Sequence, residues 1–387
     1  MRPEVREVDM SLNWPGRSAK ALSLLLAGTL LAAVILSCSS CGAPSFSTET
    51  QQKMEKVVDD VMLEDNIPGV IVGVWVPGEG TWIKAKGKAD IRTGREIIRD
   101  DKVRIASNTK PFVATVILDL VDEGKLSLDD KLEEFVPGVP YGNEITIRQV
   151  CNMTSGIYSF TEDEQFDKDF TENPLMEITP QQEVDIALEH EPYFPPGQGW
   201  HYSDTNYEIL GMIIEQVTGN KAGDEIQKRI IEPLELENTS FPNTPDMPSE
   251  HSQGYVYKDG GGLVDYTRVN PDVPWTGGAM ISDLYDMKTW AKALADGDLV
   301  SKKMHKEQLD WVDTGTGAMK YGLGISNLVG FIGHHGAIFG FNSVFFYLPE
   351  EDATMVVFTN KSTNSSNEAA DIFIGLVKTV FPEKVPK

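Results

Sequence analysis

The chain has 387 residues, with 34 Lys and Arg against 59 Asp and Glu, a formal net charge of -25. So acidic a protein is repelled by nucleic acid and by anionic membrane surfaces, which excludes both as principal partners. Hydrophobic residues at 41% and charged residues at 24% describe an ordinary globular composition with enough apolar material for a packed core, far from disordered, fibrous or repeat proteins.

The first residues read as an address. Arg17 and Lys20 precede a charge-free apolar run, 21–36, closed by Ser37 and Cys38; a basic region, an apolar region and a small residue at the cut describe a secretory signal. As a helix the run spans about 24 Å, short of the roughly 30 Å hydrocarbon core, so a permanent transmembrane helix is the weaker reading. Ile35-Leu36-Ser37-Cys38 resembles a bacterial lipoprotein box. That resemblance implies a signal peptide over 1–37, lipid attachment at Cys38 and a polar linker over 38–48, with an uncleaved anchor as the alternative. Either way the body is expected outside the cytoplasm, facing periplasm or cell exterior. Glu4, Glu7 and Asp9 are unusual ahead of such a signal, which makes Met10 a second candidate start.

Thr48 followed by Gln51 is a capping-box pattern, with Val57, Val58, Val61 and Met62 at helical spacing behind it. Runs 69–76 and 81–89 are β-rich, and Pro77-Gly78-Glu79-Gly80 joins them as a hairpin. Val113, Val116, Ile117, Leu120 and Val121 then repeat with helical periodicity up to Gly124. To about residue 270 the pattern is mainly helical, with helices predicted over 146–153, from Thr179-Pro180 to near His190, and over 205–218 with Gly219 as cap. The acidic stretch 162–172 reads as a solvated loop. A capped helix from Ser282 to Gly297 is followed by β-runs 321–325, 330–334, 343–348 and 354–359, separated by short turns and therefore antiparallel, and by a last helix over 366–380. The expected fold is α/β of the α+β kind. An antiparallel sheet flanked by helices is assembled from both chain ends, 49–106 and 275–387, around an inserted mainly helical domain, 107–274. A cleft between the two is the expected place for a site.

Cys38, Cys41 and Cys151 are too few for a disulfide framework, and Cys151 reads as a small buried apolar residue. His190, His201, His251 and His305 lack ligand spacing, so neither a metal nor another cofactor is expected. No Gly-x-Ser-x-Gly elbow and no phosphate-cradling glycine loop occurs in the sequence.

Chemistry concentrates at three places. Ser107-Asn108-Thr109-Lys110 heads the most regular helix, and three-residue spacing puts hydroxyl and amine on one helical face. The positive potential of a helix N-terminus disfavours the ammonium form of Lys110, and a neutral amine can take the Ser107 proton and activate it as a nucleophile. The tetrapeptide alone has little specificity; two further elements downstream in the chain raise it. Tyr202-Ser203-Asp204 precedes another helix, and a phenol beside a cationic amine can shuttle a proton to a leaving group. Tyr141-Gly142-Asn143 and Tyr257-Lys258-Asp259 offer the same pattern as decoys. His334-His335-Gly336, followed by Ala337, ends a β-run, where a strand edge can aim a backbone N–H at a substrate carbonyl and glycine permits close approach.

In this order the three elements resemble the serine β-lactamase and DD-peptidase family, closest to the secreted D-alanyl-D-alanine carboxypeptidase and class C β-lactamase branch, which carries Tyr-x-Asn and His-x-Gly. The segments 120–130, Ile147-Arg148-Gln149-Val150, Thr154-Ser155-Gly156-Ile157 and Tyr321-Gly322-Leu323-Gly324 are similar to that branch too, so the resemblance runs from about Gln51 onward. It implies Ser107 as acylated nucleophile, Lys110 as base, Tyr202 as shuttle, the N–H groups of Ser107 and Ala337 as oxyanion hole, and Asp204, His334 and Gly336 at the substrate. Tyr202 follows Ser107 by 95 residues, the family's spacing, whereas Tyr141 follows it by only 34. The implied activity is acyl-enzyme hydrolysis of the D-alanyl-D-alanine carboxypeptidase kind. A class C-like β-lactamase or small-ester hydrolase is the alternative, and a non-catalytic binding protein of the same fold is the alternative of another class. Implied partners are a small peptide, β-lactam or ester, with membrane contact through the lipid anchor only. Two departures stand out. Asp204 replaces the usual Asn, and an ionised carboxylate donates no hydrogen bond to a substrate amide. Ile325-Ser326-Asn327 holds no arginine of the kind that recognises an acidic stem-peptide end in the nearest relatives.

Overall fold

The structure is a computed structural model that describes residues 45–258, 261–362 and 367–384; the signal segment, Cys38 and most of the expected linker lie outside the described residues. The chain begins with α1 (Thr48–Glu64), β1 (Gly69–Val76), β2 (Gly80–Asp90), β3 (Arg95–Glu96) and β4 (Val103–Arg104). Its middle holds α2 (Lys110–Asp122), α3 (Ile147–Cys151), α4 (Glu164–Glu172), α5 (Pro180–Leu188), α6 (Thr205–Thr218), α7 (Ala222–Ile226), β5 (Tyr255–Lys258), β6 (Gly262–Asp265), α8 (Trp275–Gly278) and β7 (Ile281–Ser282). Then come α9 (Leu284–Asp296), α10 (Lys302–Gln308), β8 (Val312–Asp313), β9 (Met319–Tyr321), β10 (Ser326–Leu328), β11 (Phe331–Ile338), β12 (Phe341–Leu348), β13 (Ala353–Thr359), β14 (Lys361–Ser362) and α11 (Glu368–Val380).

Both chain ends contribute to one nine-stranded sheet, ordered β3-β2-β1-β13-β12-β11-β10-β9-β8. The join is β1 against β13, antiparallel, with Val70 opposite Thr359. Side chains alternate across a strand with period two, and here both faces are buried. Val70, Val72, Val74, Val344, Phe346, Met355 and Val357 share a core with α1 and α11, while Ile71, Phe345, Val356 and Phe358 share the other with α2, α6 and α9. Each such side chain contributes about 1.5–3 kcal/mol on burial. Within the second core Phe112 of α2 stacks on Trp290 of α9, ring centroids 4.2 Å apart, which ties α2 to a helix that packs on β12 and β13. Cys151 is buried in this core, and burial pushes its thiol up to about 12, so it is inert.

Several elements differ from expectation. The acidic stretch is not a loop: Asp163 caps α4 by accepting from the Phe166 N–H, and Phe166 packs edge-on to Phe160. Two phenylalanines one turn apart, Phe166 and Phe170, outweigh the surrounding charge by burying one face. The first helix is capped by Ser47, one residue earlier than the capping-box pattern suggests, and Gln51 turns back to donate to the Phe46 carbonyl. The run 321–325 breaks into the end of β9 and a turn, because Gly322 and Gly324 interrupt it. β11 extends four residues past its expected end at His334, carried on by pairing with β12, in which Ala337 lies opposite Asn342. A hairpin, β5 and β6, lies within the part read as mainly helical, and β14 pairs with β5 in parallel.

Candidate active site

β10 pairs with β11 only as far as Gly333, so residues 334–338 of β11 face β12 on one side and are open on the other. The turn that carries Ser107 packs into that opening. It is a 3-10 turn, Ala106–Thr109, running directly into α2. Ala106 has φ 51, a left-handed conformation that costs a residue with a Cβ about 1–3 kcal/mol. Surrounding bonds hold it there. The Ile105 N–H donates to the Met280 carbonyl at 2.9 Å, Ser343 Oγ donates to the Ile105 carbonyl at 2.7 Å, and Asn108 Nδ2 donates to Ser343 Oγ at 2.8 Å. Gly336 is the contact point on β11: a Cβ there would lie 2.4 Å from the Ile105 oxygen and 2.9 Å from the Ser107 nitrogen. Glycine is what lets the strand close on Ser107.

Lys110, the first residue of α2, is fully buried. Its Nζ lies 3.2 Å from Ser107 Oγ, 2.6 Å from Asp204 Oδ1 and 2.8 Å from the Gly277 carbonyl oxygen. These three contacts hold the amine in place, with the carboxylate and the carbonyl accepting from it and the serine hydroxyl within hydrogen-bond reach. Asp204 is itself fixed: its Oδ2 accepts from Thr161 Oγ1 at 3.0 Å and its backbone N–H donates to Ser159 Oγ at 3.0 Å. The Tyr202 ring centroid is 4.9 Å from Lys110 Nζ. Its hydroxyl is buried without a hydrogen-bond partner among the described residues. Burial first and the Asp204 charge second push that phenol well above its ordinary pKa, while Ser107 pulls the other way. A phenol so placed carries a proton that a leaving group can take.

Ser107, Lys110, Tyr202, Asp204, Gly336 and Ala337 therefore meet at one place. His334 lies one layer behind. It is buried, its ring centroid is 6.2 Å from that of Tyr202, its Nδ1 is 2.6 Å from the His335 carbonyl oxygen and its Nε2 is 3.0 Å from the Tyr321 hydroxyl. Burial, with the His335 and Lys110 charges, holds it well below the usual imidazole pKa, so the neutral ring donates from Nδ1 and accepts from Tyr321. Both nitrogens are engaged away from the cavity. Of the decoys, Tyr141 is exposed at φ 61 in a turn, and Tyr257 is exposed on β5.

A cavity of about 330 Å³ opens beside Ser107 and Ala337. Phe160, Phe166, Phe170, Val273, Ile338 and Phe339 form its apolar wall, Asp167 and Asp204 are its carboxylates, and the fully buried Glu208 lies at its floor; among the described residues lining it there is no Lys or Arg. Sequence reading missed Glu208, Thr161, Gly277 and the aromatic wall. Glu208 carried a usable signal, an acid between Tyr207 and Ile209-Leu210 on the buried face of α6. No group of His, Cys, Asp and Glu suited to a metal ion occurs among the described residues.

A family model described as Beta-lactamase matches residues 51–378. The solved structure of a D-stereospecific amidohydrolase from Streptomyces sp. is similar at 33% identity and TM-score 0.76, covering 86% of this chain and 97% of that one. The octameric penicillin-binding protein homologue from Pyrococcus abyssi is similar at 26% identity and TM-score 0.73, covering 84% of this chain and 76% of that one. Protein flp of Staphylococcus aureus strain N315 is 27% identical over 327 residues, which are 81% of this chain and 64% of that protein.

Proposed function

Since the chain belongs to the Beta-lactamase family and is a serine hydrolase of that family, we propose that it hydrolyses small amides or esters of D-amino acids that bear a free α-ammonium group, through an acyl-enzyme on Ser107. The observation that carries this reading is the cavity beside Ser107, with an aromatic wall, the carboxylates of Asp167 and Asp204 and no cation among its described lining residues. A carboxypeptidase or a β-lactamase receives a substrate carboxylate, which this lining repels. An ammonium about 4 Å from a carboxylate gains about 4 kcal/mol at an effective dielectric constant near 20, before desolvation. The D-stereospecific amidohydrolase from Streptomyces, by its name, supports the same class of bond and the same handedness.

In this mechanism Lys110 accepts the Ser107 proton as Oγ attacks the substrate carbonyl, and the N–H groups of Ser107 and Ala337 hold the developing oxyanion. Tyr202 gives its proton to the leaving amine or alkoxide and recovers one from Lys110. Water then repeats the sequence on the acyl-enzyme. Asp204 keeps the Lys110 amine in place, and His334 with Tyr321 backs the Tyr202 ring. We further propose that the protein is exported and tethered by lipid at Cys38.

The test compares one preparation on D-alanine p-nitroanilide, its N-acetyl derivative, a D-Ala-D-Ala peptide and a chromogenic cephalosporin. The free-amine substrate is expected to exceed the N-acetyl one by about 10–100-fold in kcat/KM, the loss of an ion pair discounted for desolvation. Faster turnover of the N-acetyl substrate, the peptide or the cephalosporin overturns the substrate assignment, and failure of every acyl donor to label Ser107 overturns the hydrolase reading.

A further inference from the structure

Gly277, in the short helix α8, stands between an acid and a base. Its N–H donates to Glu208 Oε1 at 3.1 Å, and its carbonyl accepts from Lys110 Nζ at 2.8 Å. A Cβ at this position would come within 2.9 Å of Glu208 Oε1 and 3.6 Å of both Asp204 Oδ1 and Lys110 Nζ, so the peptide fills its slot without spare room. Glu208 projects from the first turn of α6 and is fully buried. Its second oxygen, and both oxygens of Glu183 on the neighbouring α5, have no hydrogen-bond partner among the described residues. Glu183 is fully buried as well.

We propose that Glu208, backed by Glu183, is a positioning residue for acyl transfer: it fixes the Gly277 peptide, whose carbonyl in turn aims the Lys110 amine at Ser107. The proposal rests on the reading that Lys110 is the base. The groups facing this pair are Lys110 from α2, Asp204 at the head of α6 and Asp272 from the segment before α8. Burial first pushes both carboxyls well above the usual range; Asp204 adds to that at both, Glu208 and Asp272 add at Glu183, and the Gly277 N–H and Lys110 pull Glu208 the other way. Burial and the neighbouring carboxyls favour the protonated form of both. A Glu208 that favours the protonated form still accepts from the Gly277 N–H and adds little negative charge beside Lys110 and Asp204.

The experiment measures acylation of Ser107 and turnover for wild type, Glu208→Gln, Glu208→Ala and Glu183→Gln from about pH 5.5 to about pH 9. Glutamine keeps the acceptor for Gly277, so Glu208→Gln is expected within about threefold of wild type with an unmoved pH profile, while Glu208→Ala loses about 100-fold in kcat with KM changed by less than about threefold. Glu183→Gln is expected to behave as Glu208→Gln does. Glu208→Ala at the wild-type rate, Glu208→Gln as slow as Glu208→Ala, or a profile displaced by about one pH unit or more in Glu208→Gln overturns the proposal. If the alanine variant does not fold, Glu208→Leu, which keeps the volume, carries the same comparison. A crystal structure of the folded variant adds a readout independent of activity: the Gly277 carbonyl is expected to leave Lys110, and an unchanged contact overturns the proposal. A wild-type enzyme that accepts no acyl donor would count against the hydrolase reading, while the structural comparison still decides the role of Glu208.

Discussion

Helix α2 meets a cation and carboxylates at each end, and the two centres differ in what their proton can do. At its head, Lys110 shares its amine among one carboxylate, one carbonyl and one serine hydroxyl. Toward its tail, Arg229, in the π turn Gln227–Ile231 after α7, reaches Asp119 of α2, Glu123 at the C-cap of α2 and Glu225 of α7. A guanidinium does not give up its proton in a protein, and its planar fork serves several carboxylates at once, so the tail is a lock. An amine can give its proton up, and with a single carboxylate and a serine beside it the head is a site for chemistry. Removing a partner should therefore cost activity at one end and stability at the other.

The largest expected effects are at the head. Ser107→Ala and Lys110→Arg should each lower acylation by about 10³-fold or more, with thermal melting unmoved, as read by mass-spectrometric labelling with a penicillin-type or fluorophosphonate probe. The arginine variant keeps the charge and loses the base. Wild-type labelling in either variant would erase the contrast. At the tail, Arg229→Met leaves Glu225, almost fully buried, without its cation. It should lose about 3 kcal/mol in urea unfolding while kcat stays within about twofold. A loss of activity equal to that at the head would show that the two ends are not separable.

Smaller effects refine the head. Asp204→Asn gives the cavity a donor in place of a charge, so the rate on an N-acetyl substrate relative to its free-amine counterpart should rise about tenfold, about one hydrogen bond's worth. Acidity separates the carboxyls of the two ends by sign. Glu123 is held down to about 2 by hydrogen bonds from Arg229 and Lys125. Its contribution is present above the ordinary range near 4.5 and is lost as pH falls toward 2; Glu123→Gln should flatten the acid limb of a melting-temperature profile. Glu183 is raised, so its contribution is fully present below about 4.5 and is lost as pH rises through its native value. Glu183→Gln should match wild type near pH 4 and exceed it in stability near pH 8, with calorimetry reading both limbs.

What the sequence discloses divides along a similar line. Periodicity predicts a helix over 205–218, and α6 occupies it with Gly219 in the left-handed cap. Thr146 with Gln149 and Thr179 with Gln182 form the reciprocal caps of α3 and α5. Ser107, Lys110 and Tyr202 are legible because their chemistry is local or carried by a resemblance. The lining is not legible. Phe166 and Phe170 reach the cavity through a helix whose surrounding acids suggest solvent, Phe160 from the 3-10 turn before it, and Phe339 at the turn after β11. Glu208 carries one local signal, its place among the apolar residues of α6, but its role depends on α5 and α8 packing over it, and nothing local distinguishes Gly277 from a loop glycine. The orientation of His334 depends on the β11–β12 register, with His334 opposite Phe345, a long-range pairing that no short window contains.

The join between β1 and β13 also orders events in time. During synthesis β1 emerges with its hairpin partner β2, yet its other edge stays unpaired until β13 follows, because Val70 waits for Thr359. Closing so long a loop is entropically costly and slow relative to forming local helices, and meanwhile an apolar strand edge is open to other chains. The strained Ala106 turn depends on Ser343 of β12 and on the close approach of Gly336 on β11. Ser107 therefore takes its place beside β11 only after the last strands have arrived, and an incomplete chain is a sticky one whose candidate site is not yet built.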